Sequence, residues 1–157
     1  MDADPTEDPA VSVCFAVEID SQKLGAFNSC EGLGCEIVIE QHEEGGNNGF
    51  VWQLPTRTKF PNIKLSRPLT KDTAKVAQWF TEAVQKGTGE RTEKGKSTGV
   101  IQAKTLDGTV IASWSLLDVV PVRWTGPSLN HDSPKVATET IEIAHHGFGP
   151  EPPAGQN

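Results

Sequence analysis

The sequence predicts a mainly β, α+β domain: an antiparallel two-sheet sandwich or barrel-like fold with one flanking α-helix. Three observations predict it. Apolar and polar residues alternate strictly along several stretches, beginning with Val13, Phe15, Val17 and Ile19. Two extended runs meet at Asp107-Gly108, a strong short-range hairpin signal. Helical spacing of apolar residues is convincing in one segment only, the one after Pro68 and Leu69.

The elements follow in chain order. Residues 1–10 are polar and acidic with two prolines, and read as a flexible N-terminal arm. From Ser12 to Asp20 the apolar set Val13, Phe15, Val17 and Ile19 opposes Ser12, Cys14, Ala16 and Glu18, a half-buried strand. Asp20-Ser21-Gln22-Lys23 supplies a turn, and Leu24 begins a short return strand to Phe27. Cys30-Glu31-Gly32-Leu33-Gly34 reads as a bend. A second strand runs from Cys35 to Gln41, with Ile37 and Ile39 aligned with Cys35. Glu43-Glu44-Gly45-Gly46-Asn47-Asn48-Gly49 has the composition of a flexible loop. Phe50 to Leu54 is extended up to Pro55, and Ile63 and Leu65 mark another strand after Pro61.

In the helix, Thr70 is the expected N-cap, Asp72 lies in the first turn, and Lys86-Gly87 closes the segment. Thr73, Val76, Ala77, Phe80, Ala83 and Val84 define its apolar face, which Trp79 broadens. Val100–Leu106 and Thr109–Asp118 flank the Asp-Gly turn. Val119–Trp124 and Val136–His146 supply the last strands, and residues 149–157, with three prolines, form a C-terminal tail. The domain proper therefore spans 11–148.

A chain of 157 residues is sized for one domain. Its net charge of −7 argues against a phosphate-binding protein. The densest basic stretch, Lys86 to Lys96, also holds Glu90 and Glu93 and reads as a solvated loop. Cys14, Cys30 and Cys35 form no paired framework, which suits a reducing compartment and thiols used as small buried hydrophobes. The acidic start lacks signal-peptide features and no apolar run reaches membrane-span length, so synthesis and folding in the cytoplasm are expected.

Reactive constellations fare poorly. His145-His146 near Glu142 invites a metal reading, but strand neighbours point to opposite faces. Glu142 and His146 would stand about 13 Å apart at roughly 3.3 Å per residue. Solvated or interface histidines are the better reading. Cys30 has no histidine at a spacing that ties it to a base. Ser128 and Ser133 sit in turns, where serine caps backbone. Glu36, Glu40, Glu44 and Glu142 read as the wet side of strands. Gly45-Gly46 opens neither a P-loop nor a dinucleotide fingerprint. No catalytic residue, cofactor or metal is expected. Among the tryptophans, Trp79 reads as core, whereas Trp52, beside the Gly/Asn loop, suits an interface.

From about Val13 to Phe148 the chain resembles the tail tube proteins of contractile phage tails and bacterial contractile injection systems. The residues that carry the resemblance are Phe15-Ala16-Val17-Glu18-Ile19-Asp20 with Leu24-Gly25-Ala26-Phe27, Cys30-Glu31-Gly32-Leu33, Glu43-Glu44-Gly45-Gly46-Asn47, Leu54-Pro55 and Lys59-Phe60-Pro61-Asn62. They continue through Val122-Arg123-Trp124-Thr125-Gly126-Pro127-Ser128-Leu129-Asn130, Val136-Ala137-Thr138-Glu139 and Ile141-Glu142-Ile143-Ala144-His145-His146-Gly147-Phe148. The chain departs from the family pattern at Thr56 and Pro68, where glycine is common, and in its arm and tail.

The resemblance implies a β-barrel-like tube-protein fold and a homo-oligomer. Hexameric rings would stack into an inner tube inside a sheath, bounded by baseplate and tube-cap proteins. The lumen would carry DNA or a cargo effector without sequence-specific binding, and this chain would not insert stably into a membrane. An alternative is a non-stacking ring or a baseplate-end tube paralogue that binds cargo, related to type VI secretion tube proteins. The loop Glu43, Glu44, Gly45, Gly46, Asn47, Asn48 and Gly49, with Phe50 and Trp52, would reach the neighbouring ring or protomer.

Overall fold

The computed structural model describes residues 12–46, 48–87, 97–127, 131–132 and 136–150. Along them run β1 (Val13–Ile19), β2 (Gln22–Phe27), β3 (Ser29–Glu31), β4 (Glu36–His42), β5 (Trp52–Lys59) and β6 (Ile63–Pro68). The helix α1 (Thr73–Gly87) follows, then β7 (Gly99–Thr105), β8 (Val110–Leu116), β9 (Val120–Thr125) and β10 (Thr138–Ala144). Two antiparallel four-stranded sheets form, ordered β2-β1-β7-β8 and β3-β6-β10-β9, and β4 and β5 make a separate two-stranded ribbon. The expected two-sheet fold is present, and the sheets do not close into a barrel.

Period-two alternation builds the core between the sheets. Val17 and Ile19 of β1, Ile63 and Leu65 of β6, Ile101 of β7, and Ile141 and Ile143 of β10 are buried with Leu24, Phe27, Leu116 and Val119. Each such side chain contributes about 1.5–3 kcal/mol by leaving water. The other face of the β3-β6-β10-β9 sheet is polar. One row across it, Glu31, Lys64, Glu142 and Arg123, alternates in sign from strand to strand.

Turn chemistry sets the joints. Asp20 and Ser21 both take positive φ (51° and 63°) and Ile19 pairs with Gln22, so the first hairpin closes through a two-residue mirror-image turn. Strand β2 therefore starts at Gln22 rather than Leu24. At Asp107-Gly108 only the glycine has positive φ (91°), and Thr105 N–H donates to Thr109 O across the loop (2.9 Å). The predicted hairpin forms with a glycine bulge at its end. The Cys30–Gly34 bend starts with β3 paired to β6, and Gly32 (φ 92°) is required because a Cβ would sit 2.1 Å from Asn62 O.

Several expectations need correction. The helix begins one position after Asp72, whose carbonyl accepts from Val76 N–H (3.2 Å), so Asp72 is the N-cap and the first turn holds no acid. Thr70 sits in the turn before it, its hydroxyl accepting from Asp72 N–H (3.2 Å). Val76 and Trp79 are buried and Phe80 packs against the core, but Val84 is exposed. Strand β5 does not stop at Pro55 but runs on to Lys59. Cys14 and Cys30 are partly buried as expected, whereas Cys35 is exposed.

The final block pairs β9 with β10 as two antiparallel strands, β10 ending two residues before His146. His145 and His146 do separate to opposite sides. His146 is exposed, with Nδ1 3.1 Å from Asp118 Oδ2. His145 is not a solvated residue: it is buried between the rings of Phe60 and Phe148. Residues 147–149 then return to β8, Leu117 N–H donating to Gly147 O and Gly149 N–H to Ser115 O (both 2.9 Å). The arm, most of the tail, most of the basic stretch, and Ser128 and Ser133 lie outside the described residues.

Candidate assembly interface

The ribbon starts from a sequence that specifies a face to be buried. In β4 the run Glu36-Ile37-Val38-Ile39-Glu40 alternates like a half-buried strand. Its partner β5 pairs with it in register from Glu36↔Lys59 to His42↔Trp52. The register shifts between Val38, opposite Arg57, and Ile39, opposite Pro55, leaving Thr56 as the extra residue of a bulge. That bulge accommodates Pro55, which has no N–H to give to a ladder. Thr56, one of the departures from the family pattern, uses its hydroxyl to donate to Val38 O (2.9 Å).

The tip holds the residues singled out from sequence. Glu43, Glu44, Gly45, Gly46, Asn48, Gly49 and Phe50 connect the two strands and are exposed. Asn47 lies outside the described residues. Trp52 opens β5 opposite His42, and its ring meets that of Phe50 edge to face, centroids 5.1 Å apart. Gly46 has φ 95°, a left-handed geometry that suits glycine in this turn.

The ribbon's exposure decides its meaning. Neither β4 nor β5 pairs with either four-stranded sheet, and every residue of β5 is exposed. Ile37 (53% exposed) and Ile39 point into solvent together with Val51 and Leu54, and Phe50 is 57% exposed. A two-stranded hairpin alone is marginally stable in water, and an apolar group of this kind marks a contact surface. Sequence reasoning found the tip and missed Ile37, Ile39 and Leu54. Their alternation was visible but read as burial inside the domain.

A second constellation was missed altogether. Arg67 (1% exposed) and Glu139 (0%) form a buried ion pair, Nε donating to Oε1 at 2.6 Å. Arg67 Nη1 donates to Leu24 O (2.7 Å), and the guanidinium lies over Phe27, 4.3 Å from its centroid. Glu139 also accepts from Thr73 Oγ1 (3.0 Å) and Trp124 Nε1 (3.2 Å). One carboxylate thus joins β10 to β6, β9 and the helix start. The signal existed: Arg67 continues the inward series Ile63, Leu65, and Glu139 precedes Ile141, Ile143 at the same period.

The reactive groups considered from sequence are unsuited to chemistry. Burial, helped by the adjacent Glu31 carboxylate, pushes the Cys30 thiol up to about 11, so it stays protonated and weakly nucleophilic near neutrality. Among the described residues, no group of three or more His, Cys, Asp or Glu is placed to hold a metal ion. No described helix is long and apolar enough to cross a membrane.

A two-sheet domain with an outward, unpartnered ribbon and a fully packed core defines an assembly subunit, a building protein rather than a catalyst. The chain belongs to the family of T4-like virus tail tube protein gp19, whose model matches residues 11–149. It is accordingly a structural tail tube protein and not an enzyme. Solved structures share the fold at low identity. A chain in the PVC sheath–tube complex of an extracellular contractile injection system, in its extended state, superposes with TM-score 0.70 at 20% identity, covering 91% of each chain. A chain of the anti-feeding prophage baseplate gives 0.68 at 19% identity, covering 88% of this chain and 91% of that one. A type six secretion system protein gives 0.52 at 13%, covering 85% and 80%. No curated protein matches the chain.

Proposed function

We propose that this chain is the structural subunit of the inner tube of a contractile phage tail or contractile injection system. Hexameric rings of it stack into a hollow tube inside a sheath, between a baseplate and a tube cap. The lumen carries DNA or a protein effector without sequence-specific binding, and the particle is assembled in the bacterial cytoplasm. Residues 11–148 form the tube wall, flanked by the arm over 1–10 and the tail over 149–157. The observation that carries this reading is the β4–β5 ribbon, which shows solvent the apolar residues its alternation specifies for burial. In a tail tube protein, other copies of the same chain are the natural cover. The tip from Glu43 to Trp52 then reaches the neighbouring ring or protomer.

Electron microscopy of the full chain, alone or seeded by its baseplate partners, is expected to show six-fold rings and tubes. A monomeric particle under all assembly conditions overturns the reading. Rings that form but never stack would instead assign the chain to the second reading, a cargo-binding ring or baseplate-end paralogue.

A further inference from the structure

The two faces of the β4–β5 ribbon are chemically different, and the register shows how. On one face lie Ile37, Ile39 and Gln41 from β4, with Thr58, Pro55 and Gln53 opposite them, and none is ionisable. On the other, Glu36 faces Lys59, Val38 faces Arg57, Glu40 faces Leu54 and His42 faces Trp52. Adjacent strand residues point to opposite sides, so Ile39 and Glu40 sample the two faces one position apart. Burying the second face would desolvate Glu36, Glu40, Arg57 and Lys59. Burying the first costs little beyond glutamine amides, which a partner's backbone can satisfy.

We propose that the uncharged face of the ribbon is the surface buried against a second copy of this chain, with the charged face left in water. This rests on the reading that the ribbon is an assembly contact. The same chain offers a matching surface. On the outward side of the β2-β1-β7-β8 sheet, Ala26, Ala16, Gln102 and Ser113 form a row across all four strands with no charge in it. The outward side of the other sheet carries the alternating row Glu31, Lys64, Glu142 and Arg123, which an uncharged ribbon face would leave desolvated and unpaired. Ser113 Oγ, buried with no hydrogen-bond partner in the single chain, gives that uncharged row a group for a partner's amide to satisfy.

The test places one residue type on each face of the full-length chain: Ile39→Lys and Glu40→Lys, with Gln53→Lys as a second probe of the uncharged face. All three positions are exposed, so circular dichroism and the melting curve of the dispersed protein should match the wild type. Tube formation is followed by sedimentation and electron microscopy across protein concentration. Ile39→Lys and Gln53→Lys are expected to raise the concentration needed by about tenfold or more, since each forces a lysine charge into the contact. Glu40→Lys should assemble within about twofold of wild type, as charges left in water do. If Glu40→Lys blocks assembly and the other two do not, the face assignment is wrong while the ribbon remains a contact. Equal loss in all three overturns the preference for one face. If all three assemble like wild type, both the face assignment and the ribbon's role in assembly fail.

Discussion

The buried pair Arg67–Glu139 and the β4–β5 ribbon break opposite rules. The sandwich buries two charges that ordinary practice would expose, and the ribbon exposes isoleucines that its own alternation would bury. In the sandwich the violation is compensated within the chain, because Glu139 accepts from Arg67, Thr73 and Trp124, and Arg67 reaches Leu24 O. In the ribbon no such compensation exists within the described chain, so the missing partner must come from outside it. The difference separates what holds one subunit together from what subunits offer one another.

The largest expected effect breaks the buried pair. Glu139→Ala leaves the Arg67 guanidinium in the interior without its counter-charge, and should destabilise the subunit by about 3–5 kcal/mol. Urea unfolding below the assembly concentration measures it. The double replacement Arg67→Met with Glu139→Leu should recover most of that loss, because neither charge then needs solvating. A single substitution costing under about 1 kcal/mol would mean that water reaches the pair, and the contrast with the ribbon would weaken.

A smaller effect comes from the network's rim. Trp124 is partly exposed, yet its indole N–H is tied to Glu139 Oε2. Trp124→Phe keeps most of the ring and removes that donor, for an expected cost of about 1 kcal/mol in the same unfolding measurement.

An acid titration probes the turn at the far end of β7–β8. The Asp107 carboxyl is held below its ordinary 3.8 chiefly by the Thr105 hydroxyl, then by Thr109 N–H. A depressed carboxyl contributes stability that is present above the unfolded value and lost as pH falls through the folded one. Asp107→Asn should therefore flatten the decline of the melting temperature as pH is lowered from about 5 toward 2. At neutral pH the variant should stay close to wild type, since the group lies in water. An unchanged acid limb would remove Asp107 from the set of groups that shape it.

Much of this was legible in the sequence where period two met a complete set of partners. β1, β6, β7 and β10 announced their inward residues, and Asp107-Gly108 announced its hairpin. The tube-family resemblance rested on residues that the family match also covers. What was not legible had physical causes. Arg67 and Glu139 sit at inward positions, but charge at such a position looks like a strand end until the partner across the sheet is known. His145 was read as wet because the strand pattern gives its side but not the two phenylalanines that close over it. Pro55 was read as a stop because a bulge that tolerates proline depends on register. Ile37 and Ile39 were read as core because alternation states that a face is to be buried and is silent about which chain buries it.

The smallest expected effect on the subunit is the one that most sharpens the comparison. Shortening the tip between Glu43 and Gly49, or replacing Trp52 with alanine, removes exposed residues of a ribbon that pairs with neither sheet. The unfolding free energy of the dispersed subunit should move by no more than about 0.5 kcal/mol. Tube assembly should fall in both variants, because the aromatic pair Phe50–Trp52 and the glycine-rich turn are then missing from the contact. The two readouts must diverge if the ribbon belongs to the assembly and not to the subunit. A loss of several kcal/mol in the dispersed subunit would show the ribbon bracing the sandwich after all. Unimpaired tube formation would strip the tip of its assigned role, leaving the lower ribbon, with Ile37 and Ile39, to carry the contact.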